Sequence, residues 1–171
     1  MKHFYLILLL VSLLTIYGCA ASTSTPAPAV EAAPVSVSEY MVEVDRTLDF
    51  IEETLAIASE AIGSHADGKI TRQEFKEMAV AGRDNLETAE DTINSMIPPS
   101  ESSGPASFEE VHEYLLLAIE AYKRAFDEMI KYGDDGRLSH IQEATNRTEN
   151  YGNPYINTVK VELRILKKEF P

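Results

Sequence analysis

Residues 107–132 read SFEEVHEYLLLAIEAYKRAFDEMIKY, a segment in which apolar side chains recur every three or four positions. That spacing places them on one face of an α-helix and leaves charged residues on the other. The stripe comprises Val111, Leu115, Ala118, Tyr122, Ala125, Met129 and Tyr132, and Leu116, Leu117, Ile119 and Phe126 widen it. We therefore predict a long helix here and expect it to be the most buried helix of the protein.

Two earlier segments have the same periodicity. The first stripe comprises Met41, Val44, Leu48, Ile51, Leu55, Ala58 and Ile62. The second comprises Phe75, Ala79, Gly82, Leu86, Ala89, Ile93 and Met96. Each predicts an amphipathic helix that buries its apolar face against its neighbours.

Four helix starts are indicated by the S/T-x-x-E/Q capping box, in which the hydroxyl accepts from a first-turn N–H and the Glu or Gln bonds back. The pairs are Ser36 with Glu39, Thr71 with Glu74, Ser107 with Glu110, and Ser139 with Gln142. Turn residues predict the breaks between them: Gly63 with Asp67-Gly68, Pro98-Pro99 with Gly104-Pro105, and Gly133 with Asp135-Gly136.

The fourth segment has the weakest pattern. Ile141, Ala144 and Thr148 continue a helix, but Gly152 and Pro154 disfavour a helix interior and predict a break near them. Asn153 is then expected to cap a new helix with Pro154 in its first turn. Residues 155–170 fit either a helix or an alternating strand, and we favour the helix because an isolated strand would leave its backbone unpaired.

A repeat with an offset of 68 residues connects the two halves. Residues 65–71 (HADGKIT) match residues 133–139 (GDDGRLS), and Leu48, Ile51, Glu60 and Ile62 match Leu116, Ile119, Glu128 and Ile130. The matches fit either a duplicated αα-hairpin or convergence on good turn chemistry. Both lead to an all-α fold, an antiparallel four-helix bundle of two hairpins with a longer proline-rich crossing between them.

The charge balance limits the partners. The chain of 171 residues has 15 Lys and Arg against 28 Asp and Glu, a net charge of −13. Nucleic acid needs a basic footprint that is lacking here, and docking on anionic lipid is disfavoured for the same reason.

The N-terminus has the features of an export signal. A basic start, Met1-Lys2-His3, is followed by an apolar run of about 14 residues, shorter than the roughly 20 needed to span a bilayer. The run ends at Ile16-Tyr17-Gly18-Cys19, which contains the one cysteine of the chain. This stretch resembles the lipobox of bacterial lipoproteins.

The resemblance implies cleavage before Cys19, attachment of acyl chains to its thiol, and an extracytoplasmic location. Ala20 after the cysteine implies the outer membrane if the organism has two membranes. The expected organisation is a signal peptide at 1–18, the lipidated Cys19 with a flexible Ser/Thr/Pro/Ala tether at 19–35, and a helical bundle domain at 36–171. More than one acyl chain is what makes such an anchor durable.

Two short stretches of the sequence resemble known metal-binding patterns. The turn near Gly68 resembles a degenerate EF-hand calcium loop in which Asp67, Thr71 and Glu74 would offer oxygen. Glu109-x-x-His112 has the spacing found in di-iron bundles but lacks the second copy that such a site needs. We assign no metal site and keep these residues as weak candidates.

No pattern of a known catalytic or nucleotide-binding site occurs in the sequence, and no cofactor or small-molecule substrate is evident. Tyrosines at 40, 114, 122, 132, 151 and 155 could form an aromatic binding face, although core packing of Tyr114, Tyr122 and Tyr132 is the simpler interpretation. We expect a lipid-anchored, non-enzymatic protein that binds or scaffolds an envelope protein. The alternative is a bundle that binds calcium weakly or binds a cofactor.

Overall fold

The structure, a computed structural model, describes residues 35–103 and 106–171. The predicted signal peptide, Cys19 and nearly all of the predicted tether lie outside the described residues, as do Gly104 and Pro105. The long helices are α1 (Val37–Ala66), α2 (Arg72–Asn94) and α3 (Phe108–Asp135). A fourth helix follows as α4 (Leu138–Arg147), a π-helical turn (Thr148–Gly152) and α5 (Asn153–Glu169), without a residue between them.

The predicted all-α four-helix bundle is confirmed. α2 packs against α1 and α3, and α3 packs against α4 and α5. α1 meets α5 along a sparser contact, so the side between the first and fourth helices is the loosest of the bundle. In the α2–α3 crossing, β1 (Ser102–Ser103) pairs with β2 (Ala106–Ser107) in an antiparallel ladder of two residues each.

The core is centred on α3, as its sequence predicts. Eleven α3 residues are buried, more than in any other described helix, and they include Phe108, Leu115 and Phe126. Residues 155–170 contribute Ile156, Val159, Leu163 and Leu166 to the same core from the helix α5. The helical interpretation of that segment is therefore confirmed.

The predicted capping boxes form at two of the four sites. Ser36 with Glu39 and Thr71 with Glu74 make both reciprocal bonds, and the Ser107 hydroxyl accepts from the Glu110 N–H. The prediction for Ser139 and Gln142 is wrong, because the N-cap of α4 is Arg137, two residues before Ser139, and the helix begins at Leu138. Asp135 Oδ1 instead accepts from the Arg137 N–H at 2.8 Å.

The hairpin turns are made by Asp-Gly pairs. Gly68 (φ 69°) and Gly136 (φ 74°) are the two residues with positive φ in the described part of the chain. This left-handed backbone suits glycine, which has no Cβ to clash. The breaks expected at Gly63 and Gly133 are wrong, since α1 and α3 continue to Ala66 and Asp135.

The interruption predicted near Gly152 and Pro154 takes the form of the π-helical turn. Asn153 does not cap a new helix; its backbone N–H bonds to Thr148 O, five residues back, and the helical backbone continues through Pro154. Pro154 has no N–H and cannot donate a hydrogen bond to the preceding turn. The wider π-helical turn accommodates the missing hydrogen bond without ending the helix.

None of the helices in 35–103 and 106–171 is both long and apolar enough to cross a bilayer.

Candidate binding groove

A groove follows the loose side of the bundle, lined by residues 45–62 of α1 and residues 144–167 of the fourth helix. We call it the seam groove. It consists of three adjoining hollows that share lining residues: Glu52 and Lys160 join the first two, and Leu55 and Asn153 join the last two. The α1 wall spans 17 residue steps, or about 26 Å at 1.5 Å per residue.

The end of the groove near the α1 C-terminus is apolar. Leu55 and Ala58 are half-buried and Ile62 is 37% exposed, although the sequence placed all three on the core stripe of α1. Opposite them on the fourth helix lie two small residues, Ala144 in α4 and Thr148 in the π-helical turn, beside a cleft of about 240 Å³.

Buried residues of α3 form the floor of this cleft. Phe126 and Met129 are only 2% and 4% exposed, and Ala125 lies beside them. The cleft therefore has a firm apolar floor between two walls that do not close over it.

The middle of the groove is polar, with a volume of about 240 Å³. The Tyr122 hydroxyl donates to Asn153 Oδ1 at 2.9 Å. Burial raises the pKa of Tyr122 well above its usual value, and the nearby Glu52 carboxylate raises it further. Tyr122 therefore stays neutral and serves as a fixed hydrogen-bond donor at this point.

The end near the α1 N-terminus is ionic. Lys160 pairs with Glu52, and Lys167 Nζ lies 2.7 Å from Asp45 Oδ1. The paired side chains are 42–52% exposed, so each pair is worth about 0–1 kcal/mol. These pairs hold α5 to α1 where apolar contact between the two helices is sparse.

The tyrosines do not form one aromatic face. Tyr40 and Tyr122 are buried in the core, and the half-buried Tyr132 donates its hydroxyl to His65 Nε2 at 3.0 Å. Tyr114 stacks on Tyr155 with ring centroids 6.1 Å apart. Tyr151 is 51% exposed and lines an outer hollow of about 360 Å³ between α3 and the fourth helix.

The weak metal candidates are not brought together. Asp67 Oδ2 accepts from Lys69 Nζ at 2.7 Å, and Glu74 Oε2 accepts from the Thr71 N–H at 2.8 Å. This bond and the one from the Thr71 hydroxyl lower the pKa of Glu74. Among the described residues, no group of three or more His, Cys, Asp or Glu is placed to hold a metal ion.

His112, the other candidate, lies at the opposite end of α3 from those residues. Its ring stacks on Tyr40, and its Nδ1 is buried with no hydrogen-bond partner within the described ranges. Burial lowers the pKa of this imidazole. The geometry favours a neutral packing residue over a ligand.

The sequence did not reveal the groove, although one signal pointed to it. The fourth segment had the poorest apolar stripe, and its small residues Ala144 and Thr148 are the ones that leave the cleft open. In the sequence, Lys160 belonged only to the polar half of an alternating pattern, and nothing related Lys160 to Glu52 or Lys167 to Asp45.

Comparison with known proteins adds no relative: no family model, curated protein or solved structure matches this chain.

Proposed function

We propose that this protein is a lipid-anchored, extracytoplasmic binding or scaffolding protein of the bacterial cell envelope, without catalytic activity. The lipobox-like Ile16-Tyr17-Gly18-Cys19 supports the anchor, and Ala20 supports the outer membrane in a cell with two membranes. The acyl chains hold the protein at the membrane, and the acidic bundle is repelled by anionic lipid.

The single observation that supports a binding role is the open apolar end of the seam groove. Leu55, Ala58 and Ile62 have the spacing of a buried helix face, yet the described chain covers them only in part: Leu55 and Ala58 are half-buried and Ile62 is 37% exposed. Apolar surface of this kind is stabilised when a partner buries it. An envelope protein that docks there would be held at the membrane by the anchor.

The anchor is tested by moving the cysteine. Palmitate labelling and membrane fractionation should find the wild-type protein labelled and in the membrane fraction. The double variant Cys19→Ser/Ser24→Cys keeps one thiol but removes it from the lipobox, so it should lose the label. Equal labelling of the two proteins, or an unmodified Cys19 sulfur in the native product, would contradict the proposal.

The binding role is tested by crosslinking in the native envelope. A photo-crosslinking residue at Ser59, on the rim of the apolar cleft, should give one reproducible protein adduct. The matched position is Ala81, an exposed residue of α2 outside the groove. Absence of an adduct at Ser59, or the same adducts at both positions, would argue against docking in the groove.

The alternative of weak calcium or cofactor binding has no comparable support. Asp67 bonds to Lys69, whereas Thr71 and Glu74 bond to each other. The capping box at the start of α2 accounts for the bonds of the Glu74 carboxylate. Calorimetric titration with calcium is the relevant measurement, and a stoichiometric heat abolished by Glu74→Ala would favour this alternative.

A further inference from the structure

We propose that the apolar end of the seam groove binds a basic amphipathic helix of the partner protein. This inference rests on the binding role proposed above and names the chemistry of the occupant. Four features support it: the shape of the cleft, its rim, the charge of its walls, and the poor fit of other occupants.

The shape of the cleft suits side chains on a helix. Leu55, Ala58 and Ile62 form an apolar line at i, i+3 and i+7 above the floor of Phe126 and Met129. A helix that lies in such a groove anchors itself through side chains with the same spacing.

The α1 rim permits close approach of a helix backbone. Ala56, Ser59 and Gly63 are small, exposed and spaced at i, i+3 and i+7. A Cβ built on Gly63 would meet no atom within 4 Å, so the space above this rim is open. Thr145 and Glu149 form the opposite rim on the fourth helix.

The charge of the walls selects a basic partner. The described lining of the cleft contains one carboxylate, that of Glu149, and no lysine or arginine. Glu149 on the rim is exposed and forms no ion pair within the described part of the chain. The net-basic segment, α5, lies along the other end of the groove. The chain has a net charge of −13, which attracts cationic partners to the protein as a whole.

The same charge disfavours two other occupants. A second copy of this chain has the same net charge of −13 and would be repelled. A membrane surface with anionic headgroups would be repelled in the same way.

Two peptides of about 17 residues, long enough to form a helix where shorter isolated segments are only marginally helical, test the inference. Both carry leucines at i, i+3/i+4 and i+7; one has lysines at the remaining positions and the other has glutamates. Binding to the full-length protein in phosphatidylcholine nanodiscs is followed by fluorescence anisotropy, with empty nanodiscs as the blank. The lysine peptide should bind saturably, and the glutamate peptide should bind at least about tenfold more weakly.

Matched variants of α1 locate the site. Ile62→Asn should weaken binding of the lysine peptide about tenfold, because Ile62 lines the cleft and the variant loses its apolar contact with the bound peptide. Ile57→Asn, at a 51% exposed isoleucine outside the groove, should leave binding unchanged. Circular dichroism verifies that both variants keep their helices.

Equal affinity for the two peptides, equal losses at Ile62 and Ile57, or no binding of the lysine peptide would overturn the inference. The labelling of Cys19 and the crosslinking at Ser59 do not depend on the charge of the peptides. A failure here therefore leaves the proposed binding role intact, whereas a failure of those two experiments contradicts the proposed function itself.

Discussion

Gly152 of the fourth helix packs directly against the ring of Tyr122 on α3. A Cβ at Gly152 would lie 2.2 Å from Tyr122 Cε1, and the Tyr122 ring is held by burial and by its bond to Asn153. Gly152→Ala should therefore destabilise the protein by about 1–3 kcal/mol, despite the gain of up to about 1 kcal/mol that alanine usually brings to a helix. Chemical denaturation measures this change in the free energy of unfolding. A Cβ at Gly63 meets no other atom, so Gly63→Ala should show only the gain in helix stability. Equal changes in unfolding free energy for the two variants would contradict the close contact of Gly152 with Tyr122.

Glu162 is a carboxylate with a buried, unpartnered oxygen in the described structure. Burial, and then the charge of Glu110, raise its pKa, so the folded protein loses stability as pH rises through that pKa. Glu162→Gln should stabilise the protein by about 1 kcal/mol at pH 7, and the gain should disappear below the ordinary glutamate pKa of about 4.3. Urea denaturation at both pH values tests this, with the exposed Glu169→Gln as control. A gain that persists at low pH would refute the charge explanation.

At the scale of elements, the helix starts show what local sequence can predict. Thr71 caps α2, so Thr71→Ala should cost about 1 kcal/mol of stability. Ser139 belongs to the same sequence pattern but lies inside α4, and Ser139→Ala should be neutral or slightly stabilising. Thermal unfolding of the two variants compares them directly. A similar loss at Ser139 would mean that α4 begins where the sequence pattern placed it.

The helices, turns and core stripes follow from patterns that span a few residues, and the sequence predicts them well. The groove does not follow from such local patterns, because it depends on how α1 meets a helix about 90 residues further along the chain. Leu55, Ala58 and Ile62 belong to the stripe as surely as Val44 and Leu48 do. The first three stay partly exposed where the small residues Ala144 and Thr148 of the fourth helix lie opposite them.

The whole molecule combines a large net negative charge with one basic element. α5 has four basic residues against two acids, and it lies between the acidic helices α1 and α3. Salt should thus act in two directions. Screening reduces the self-repulsion of the acidic bundle and favours its folded state, but it also weakens the pairs of Lys160 with Glu52 and Lys167 with Asp45.

Hydrogen exchange at low salt and at 1 M NaCl separates these two effects, since the Debye length falls to about 3 Å at the higher concentration. Exchange in α5 should accelerate up to about fivefold, the equivalent of losing roughly 1 kcal/mol from two half-exposed pairs. Exchange in α2, which packs tightly between α1 and α3, should slow or stay unchanged. In Lys160→Ala/Lys167→Ala, α5 should already exchange fast at low salt and should respond to salt as α2 does. Parallel responses of α5 and α2 in the wild type would mean that apolar packing alone closes this side of the bundle.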